Sequence, residues 1–193
     1  MKKKTRTRSW LSVGLCLSLL LLAAPALAAE KEKKDKHAEK RAEIDAMAKE
    51  TMSELFAKSK DAKQLYDKAV GYAVFENLKI ALGVSGGGGS GVAVSKTGQR
   101  TYMKMGTAGV GLGIGGQKYK LIFLFEDEKA FQSFVDKGWQ ADASAQAAAA
   151  DAGANAAATF KDGVAFYQMT DKGLIASADI SGTKYWKNEE LNK

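Results

Sequence analysis

The spacing of apolar residues changes several times along the chain, and each spacing predicts a different element. Residues 10–24 form a charge-free, largely apolar run. Residues 29–43 then carry no apolar side chain larger than alanine, so they have nothing to bury and read as a solvated, mixed-charge tether. From there Ile44, Met47, Ala48, Met52, Leu55 and Phe56 recur at three- and four-residue steps, the period of an amphipathic helix. Ala62, Leu65, Ala69 and Val70 predict a second helix with one apolar side.

Beyond Gly71 the pattern becomes that of strands. Valine and aromatic residues are frequent, proline is absent, and turn signals come at short intervals. Residues 70–75 read as a strand. Residues 81–84 and 91–94 read as strands flanking the run Gly86-Gly87-Gly88-Gly89, and Ser95-Lys96-Thr97-Gly98 as a hairpin turn into a strand over 100–105. Gly109, Gly111, Gly113 and Gly115 alternate with Val110, Leu112 and Ile114. Successive side chains on a strand point to opposite faces, so one face there is aliphatic and the other bare. A bare face lets another backbone or a flat ring approach closely. Residues 121–125, Leu-Ile-Phe-Leu-Phe, are apolar throughout, as a central strand would be.

A short helix is predicted next, capped by Asp127, buried through Phe131, Phe134 and Val135, and stopped by Gly138. Residues 140–150 carry two conflicting signals. Their alanines favour helix, but polar residues alternate with alanine at a period of two, and the period predicts a strand. Residues 164–169 and 174–180 form a last hairpin around Asp171-Lys172-Gly173. The predicted class is α+β: N-terminal helices, then a mostly antiparallel, glycine-rich sheet with one inserted helix.

The ends of the apolar run assign it a role. Lys2, Lys3, Lys4, Arg6 and Arg8 precede it, and Pro25 and Ala26-Leu27-Ala28 follow. A basic start, a short greasy centre and small residues before a cleavage point are the marks of a secretory signal peptide, here residues 1–28. The expected localisation is exported, periplasmic or envelope-associated. Removal of the leader changes the electrostatics. The 193-residue chain carries a net charge of +7, five of which lie in residues 1–28. Residues 42–193 hold 18 bases and 18 acids. That balance offers no basic stripe, and no nucleic-acid partner is expected. The one cysteine, Cys16, lies in the leader with Leu15 before it, where a lipidated cysteine would want a small residue. The mature chain would then have no thiol for disulfides, catalysis or metal.

Three motifs look chemical. Gly83-Val84-Ser85-Gly86-Gly87 fits the serine-hydrolase pattern, but that elbow needs a helix after the serine and a histidine beside it. The sole histidine is His37, in the expected tether. Gly111-Leu112-Gly113-Ile114-Gly115-Gly116 fits a dinucleotide fingerprint, which also requires a following helix; the next predicted element is a strand. Glu126-Asp127-Glu128 is acidic, and a helix start explains it through the helix dipole. No enzyme, cofactor or metal site is expected.

The ordered series Lys68-Ala69-Val70-Gly71-Tyr72-Ala73-Val74-Phe75, Asn77-Leu78, Gly83-Val84, Gly89-Ser90-Gly91-Val92, Leu124-Phe125, Gly138-Trp139, Lys172-Gly173-Leu174 and Ser181-Gly182-Thr183 resembles the SYLF lipid-binding domain family. The resemblance spans about residues 61–186, within an expected domain of residues 44–193. One departure is Glu76, where the family usually has proline. The family brings no catalytic residues. Its eukaryotic members are associated with phosphoinositide membranes and actin. For an exported single domain the resemblance implies only the broader property, contact with an anionic lipid or membrane surface.

The residues expected to make that contact are Ile44, Met47, Met52, Leu55 and Phe56, with Lys49, Lys58, Lys60 and Lys63 beside them. The same stripe also reads as core cover, and it cannot serve both purposes unless the helix detaches. Charge alone would not hold the domain to a membrane. Residues 30–41 net +2, worth roughly 2 kcal/mol at about 1 kcal/mol per charge. A second expectation is a protein-interaction or structural envelope module, with an envelope protein pairing to the glycine-rich sheet.

Overall fold

In a computed structural model the described residues are 14–140, 159–170, 173–175 and 182–193. The expected strand over 140–150 lies outside them except for Gln140, and so does the 176–180 half of the last hairpin. The chain divides into two units, Met1–Lys40 and Arg41–Lys193.

Helix α1 is Gly14–Lys58. It includes the segment expected to be a solvated, mixed-charge tether. Residues 31–43 are largely solvent-exposed, as their composition demands, but they are helical. They contain neither glycine nor proline, and their long charged side chains are good helix formers. Lys36 pairs with Glu32 one turn back at 2.7 Å. Among the described residues no helix is long and apolar enough to cross a membrane.

In the second unit, α1 buries Ile44, Ala48, Met52 and Leu55 along one side. It ends at Lys58, and Ser59 caps helix α2, Lys60–Lys68, by accepting from the Ala62 N–H at 3.1 Å.

Two long strands follow. β1, Gly71–Ser95, and β2, Arg100–Phe125, form one antiparallel ribbon from Gly71↔Phe125 to Val94↔Arg100. The turn is the expected one, with Gly98 at φ 87° and the Ser95 hydroxyl accepting from the Gln99 N–H at 3.1 Å. Contrary to the expectation, the glycine run does not separate two strands; residues 86–89 pair with 108–105 inside the ribbon. The reason is close approach. A Cβ on Gly87 would lie 2.6 Å from the Leu78 carbonyl oxygen, and on Gly89 and Gly91 it would strike the carbonyls of Glu76 and Val74. The second half of β1 is thus laid over its own first half, and glycine is what lets the backbones meet. A register shift between Leu82 and Val84 marks the bend.

The remaining elements attach to β2. Its second half pairs with β4, Val164–Thr170, which pairs with β5, Gly173–Ile175. Its first half pairs with β6, Thr183–Lys187, which pairs with β3, Trp139–Gln140. Helix α3, Glu128–Lys137, sits between β2 and β3 as predicted. Asp127 caps it by accepting from the Ala130 N–H at 2.8 Å, and Gly138 at φ 69° ends it. The class is α+β.

Alternation along β1 and β2 builds two cores. Val74, Val92, Tyr102, Ile122 and Leu124 face the buried side of α1 and α2. Phe75, Met103, Leu121, Phe123 and Phe125 face Phe131, Phe134 and Val135 of α3. Residues 121–125 are all buried because helices cover both sides of that strand. In the second core the Phe123 ring lies 5.1 Å from both Phe166 and Tyr185, edge-on.

Burial holds the Tyr167 hydroxyl up to about 12 and pushes Tyr185 well above the ordinary tyrosine value. Tyr72 and Tyr102 are raised too, by burial first, then by Tyr66 and Asp45 respectively. A raised tyrosine pKa means the folded state holds the proton more tightly. The stability it lends is complete below the unfolded value of about 10 and drains away as pH climbs toward 12. A tyrosinate absorbance titration will therefore show these groups ionising late and together with unfolding. Smooth titration of all six tyrosines near the ordinary value, with the fold intact, would contradict this.

Candidate functional site

The outer side of α1 forms a groove with the ribbon. A space of about 510 Å³ is lined by Lys49, Met52 and Phe56 of α1 and by Tyr72, Val94 and Arg100 of the strands. A second space of about 280 Å³ continues past Tyr72 and Val94 to Tyr66 and Lys96. An aromatic chain floors this surface: Phe56 to Tyr66 at 5.0 Å, Tyr66 to Tyr72 at 5.7 Å. The Lys63 ammonium lies 5.7 Å from the Phe56 ring centroid, within cation–π range.

Charges around the groove divide into paired and free. Arg100 Nε sits 3.3 Å from Asp45 Oδ1, while the Tyr102 hydroxyl donates to Asp45 Oδ2 at 3.1 Å. Lys63 pairs with Asp67. Lys58 holds Glu54 at 2.6 Å, and this hydrogen bond is the main cause that lowers the Glu54 carboxyl below its ordinary range. Lys49 and Lys96 make no ion pair among the described residues.

The nine residues expected to touch lipid therefore separate. Ile44, Met52 and Leu55 are buried, with Leu55 fully so. Met47 and Phe56 are half-buried against the same core. Lys49, Lys58, Lys60 and Lys63 are exposed. The structure brings Lys49, Met52 and Phe56 to the groove, while Ile44 and Leu55 face the sheet. Tyr66, Tyr72, Lys96 and Arg100 were not anticipated. Tyr72 was findable, because it alternates with Val74 and must share its face; Arg100 and Lys96 come close only through the hairpin.

The chemical-looking motifs sit in strands. Ser85 is buried within β1, opposite Gly109, with no helix after it. Residues 111–116 lie inside β2. Among the described residues no three His, Cys, Asp or Glu side chains are grouped to hold a metal.

Residues 106–193 match the family described as Ysc84, Las17-binding protein actin regulator. Beta cell expansion factor A of Aeromonas veronii is 44% identical over 156 residues, which cover 80% of this chain. The chain carries a Ysc84/SYLF domain. It spans 60% of the length of that curated relative. The part of the SYLF domain matched by the family begins at Gly106, in the first half of β2, so α1, α2 and β1, which build most of the groove, lie before it.

Proposed function

We propose that this SYLF domain is a non-enzymatic module of the cell envelope, exported by the leader at residues 1–28, that associates with anionic lipid or membrane surfaces. The observation that carries the reading is the groove: aromatic and aliphatic lining, with the free cations Lys49 and Lys96 at its two ends. Apolar floor and cationic rim fit an amphiphile with an anionic head. Two such lysines contribute roughly 2 kcal/mol near an anionic surface, so apolar contact must supply the remainder.

The test is flotation of the full chain with vesicles. Binding to phosphatidylglycerol-containing vesicles, little to pure phosphatidylcholine, and weakening by salt are expected. Lys49→Glu with Lys96→Glu should lower the anionic-vesicle affinity by about tenfold or more, each charge being worth about 1 kcal/mol. Equal binding to both vesicle types would remove the electrostatic reading.

A second reading is a protein-interaction module. The matched family is described by binding to a protein, Las17, and by actin regulation, which supports a protein partner for the domain. Absence of vesicle binding, with stoichiometric capture of one defined envelope protein, would favour it.

A further inference from the structure

We propose that the bend end of the β1–β2 ribbon, where Leu78 and Ile80 stand exposed, is the element that enters an anionic bilayer. This rests on the lipid reading above and names the part of the domain that inserts. Among the described residues three large apolar side chains are exposed, and two of them are here: Leu78 at 43% and Ile80 at 51%. They sit two residues apart, on the strand face that carries Val74. Val74 is covered by the helices and fully buried, and the cover does not extend to the next two alternate apolar positions. Glu54, in the last turns of α1, reaches only as far as Lys120, at 3.8 Å. Across the ribbon Ile80 pairs with Gly116 and Leu78 with Lys118. A Cβ on Gly115 or Gly116 would meet nothing within 4 Å, so the partner strand is open at those two positions.

Charge says what would cover it. A polar recess of about 240 Å³ lies at the base of the exposed pair, lined by Lys58, Lys118 and Lys120 with Glu54 and Glu76. Three cations face two acids, and Lys118 makes no ion pair among the described residues. An apolar tip above a net positive collar matches acyl chains beneath anionic headgroups. β1 and β2 pair with each other through this region, but their outer edges there have no strand partner among the described residues, so the ribbon enters only the headgroup and upper acyl layer, where water still reaches the edge groups. Insertion here needs no helix to leave the core.

The experiment is co-sedimentation of the full chain with vesicles of phosphatidylglycerol and phosphatidylethanolamine. Leu78→Asp with Ile80→Asp should reduce partitioning at least tenfold and leave the thermal melt in place, because both side chains are exposed. A second variant, Ile80→Trp, should gain fluorescence quenching by brominated lipids beyond that of the parent protein, and it decides the matter if the double variant melts early. Parent protein that binds vesicles, with a double variant binding equally well or no added quenching at Trp-substituted position 80, overturns the ribbon proposal alone. Parent protein that binds no vesicles overturns the lipid reading and this proposal with it. Self-association that the double variant abolishes, without vesicle binding, would make the tip an interface between copies and also overturn it.

Discussion

Leu55→Asp will yield no folded domain, and Leu55→Ala will lower the free energy of unfolding by about 3–5 kcal/mol. Leu55 is fully buried in the core between α1, α2 and the sheet, among Val74, Ile122 and Tyr167. Truncation to alanine loses the transfer energy of the side chain and leaves a cavity that two helices and a sheet cannot close. Aspartate adds a desolvated charge, and among the described residues that cluster offers it no cation. A domain of this size has about 5–15 kcal/mol of net stability to lose. Urea unfolding followed by circular dichroism measures both variants. A Leu55→Asp protein with a native spectrum and a cooperative melt would mean that the face is not packed as described. The neighbouring Phe56 is only half-buried, and Phe56→Ala should cost less than Leu55→Ala.

Gly91→Ala will be nearly as damaging, although it adds one methyl group. Its Cβ would coincide with space held by the Val74 carbonyl oxygen and lie within 2.7 Å of Phe75 ring atoms. A backbone carbonyl cannot rotate aside as a side chain can, so the two halves of β1 must separate. Overpacking a core typically costs about 1–3 kcal/mol, and a clash against backbone belongs at or above the upper end. Gly88→Ala is the internal comparison: its Cβ would come no closer than 3.7 Å, to the Met105 oxygen. Removing that glycine's excess backbone entropy should leave stability unchanged or raise it by about 0.5–1 kcal/mol. Thermal melts of the two alanine variants, side by side, read the difference. Equal melting temperatures would show that the halves of β1 do not touch.

Much of the fold was legible because local signals agreed with tertiary demands. The α3 segment carried cap, apolar stripe and terminal glycine in order, and the structure uses all three. The turn over residues 95–98 likewise had its chemistry in place. Failures came where one pattern permits two outcomes. Four consecutive glycines signal a loop by propensity, yet here they permit backbone contact that no local rule foresees. β6 was missed because only Tyr185 and Thr183 of its five residues are buried, too few to show a period. The charged residues 29–43 lacked an apolar face, which says they are solvated and leaves their backbone conformation open. The α1 stripe was the deepest ambiguity. An amphipathic face records that something apolar covers it, and only the sheet beneath Ile44 and Leu55 says what. Leu78 and Ile80 carried no signal at all, since an apolar residue in a strand is expected inside; their exposure depends on where the helices stop.

The ribbon also bears on how the chain finds its shape. Every β1–β2 pair extends outward from the single turn at residues 95–98, so each closes a loop only slightly larger than the one before it. Pairings that span more than a quarter of the chain need not be found by random search, the slow step for sheets with distant partners. They can be reached by zipping from one nucleus, after which β4 and β6 add to an edge already laid down.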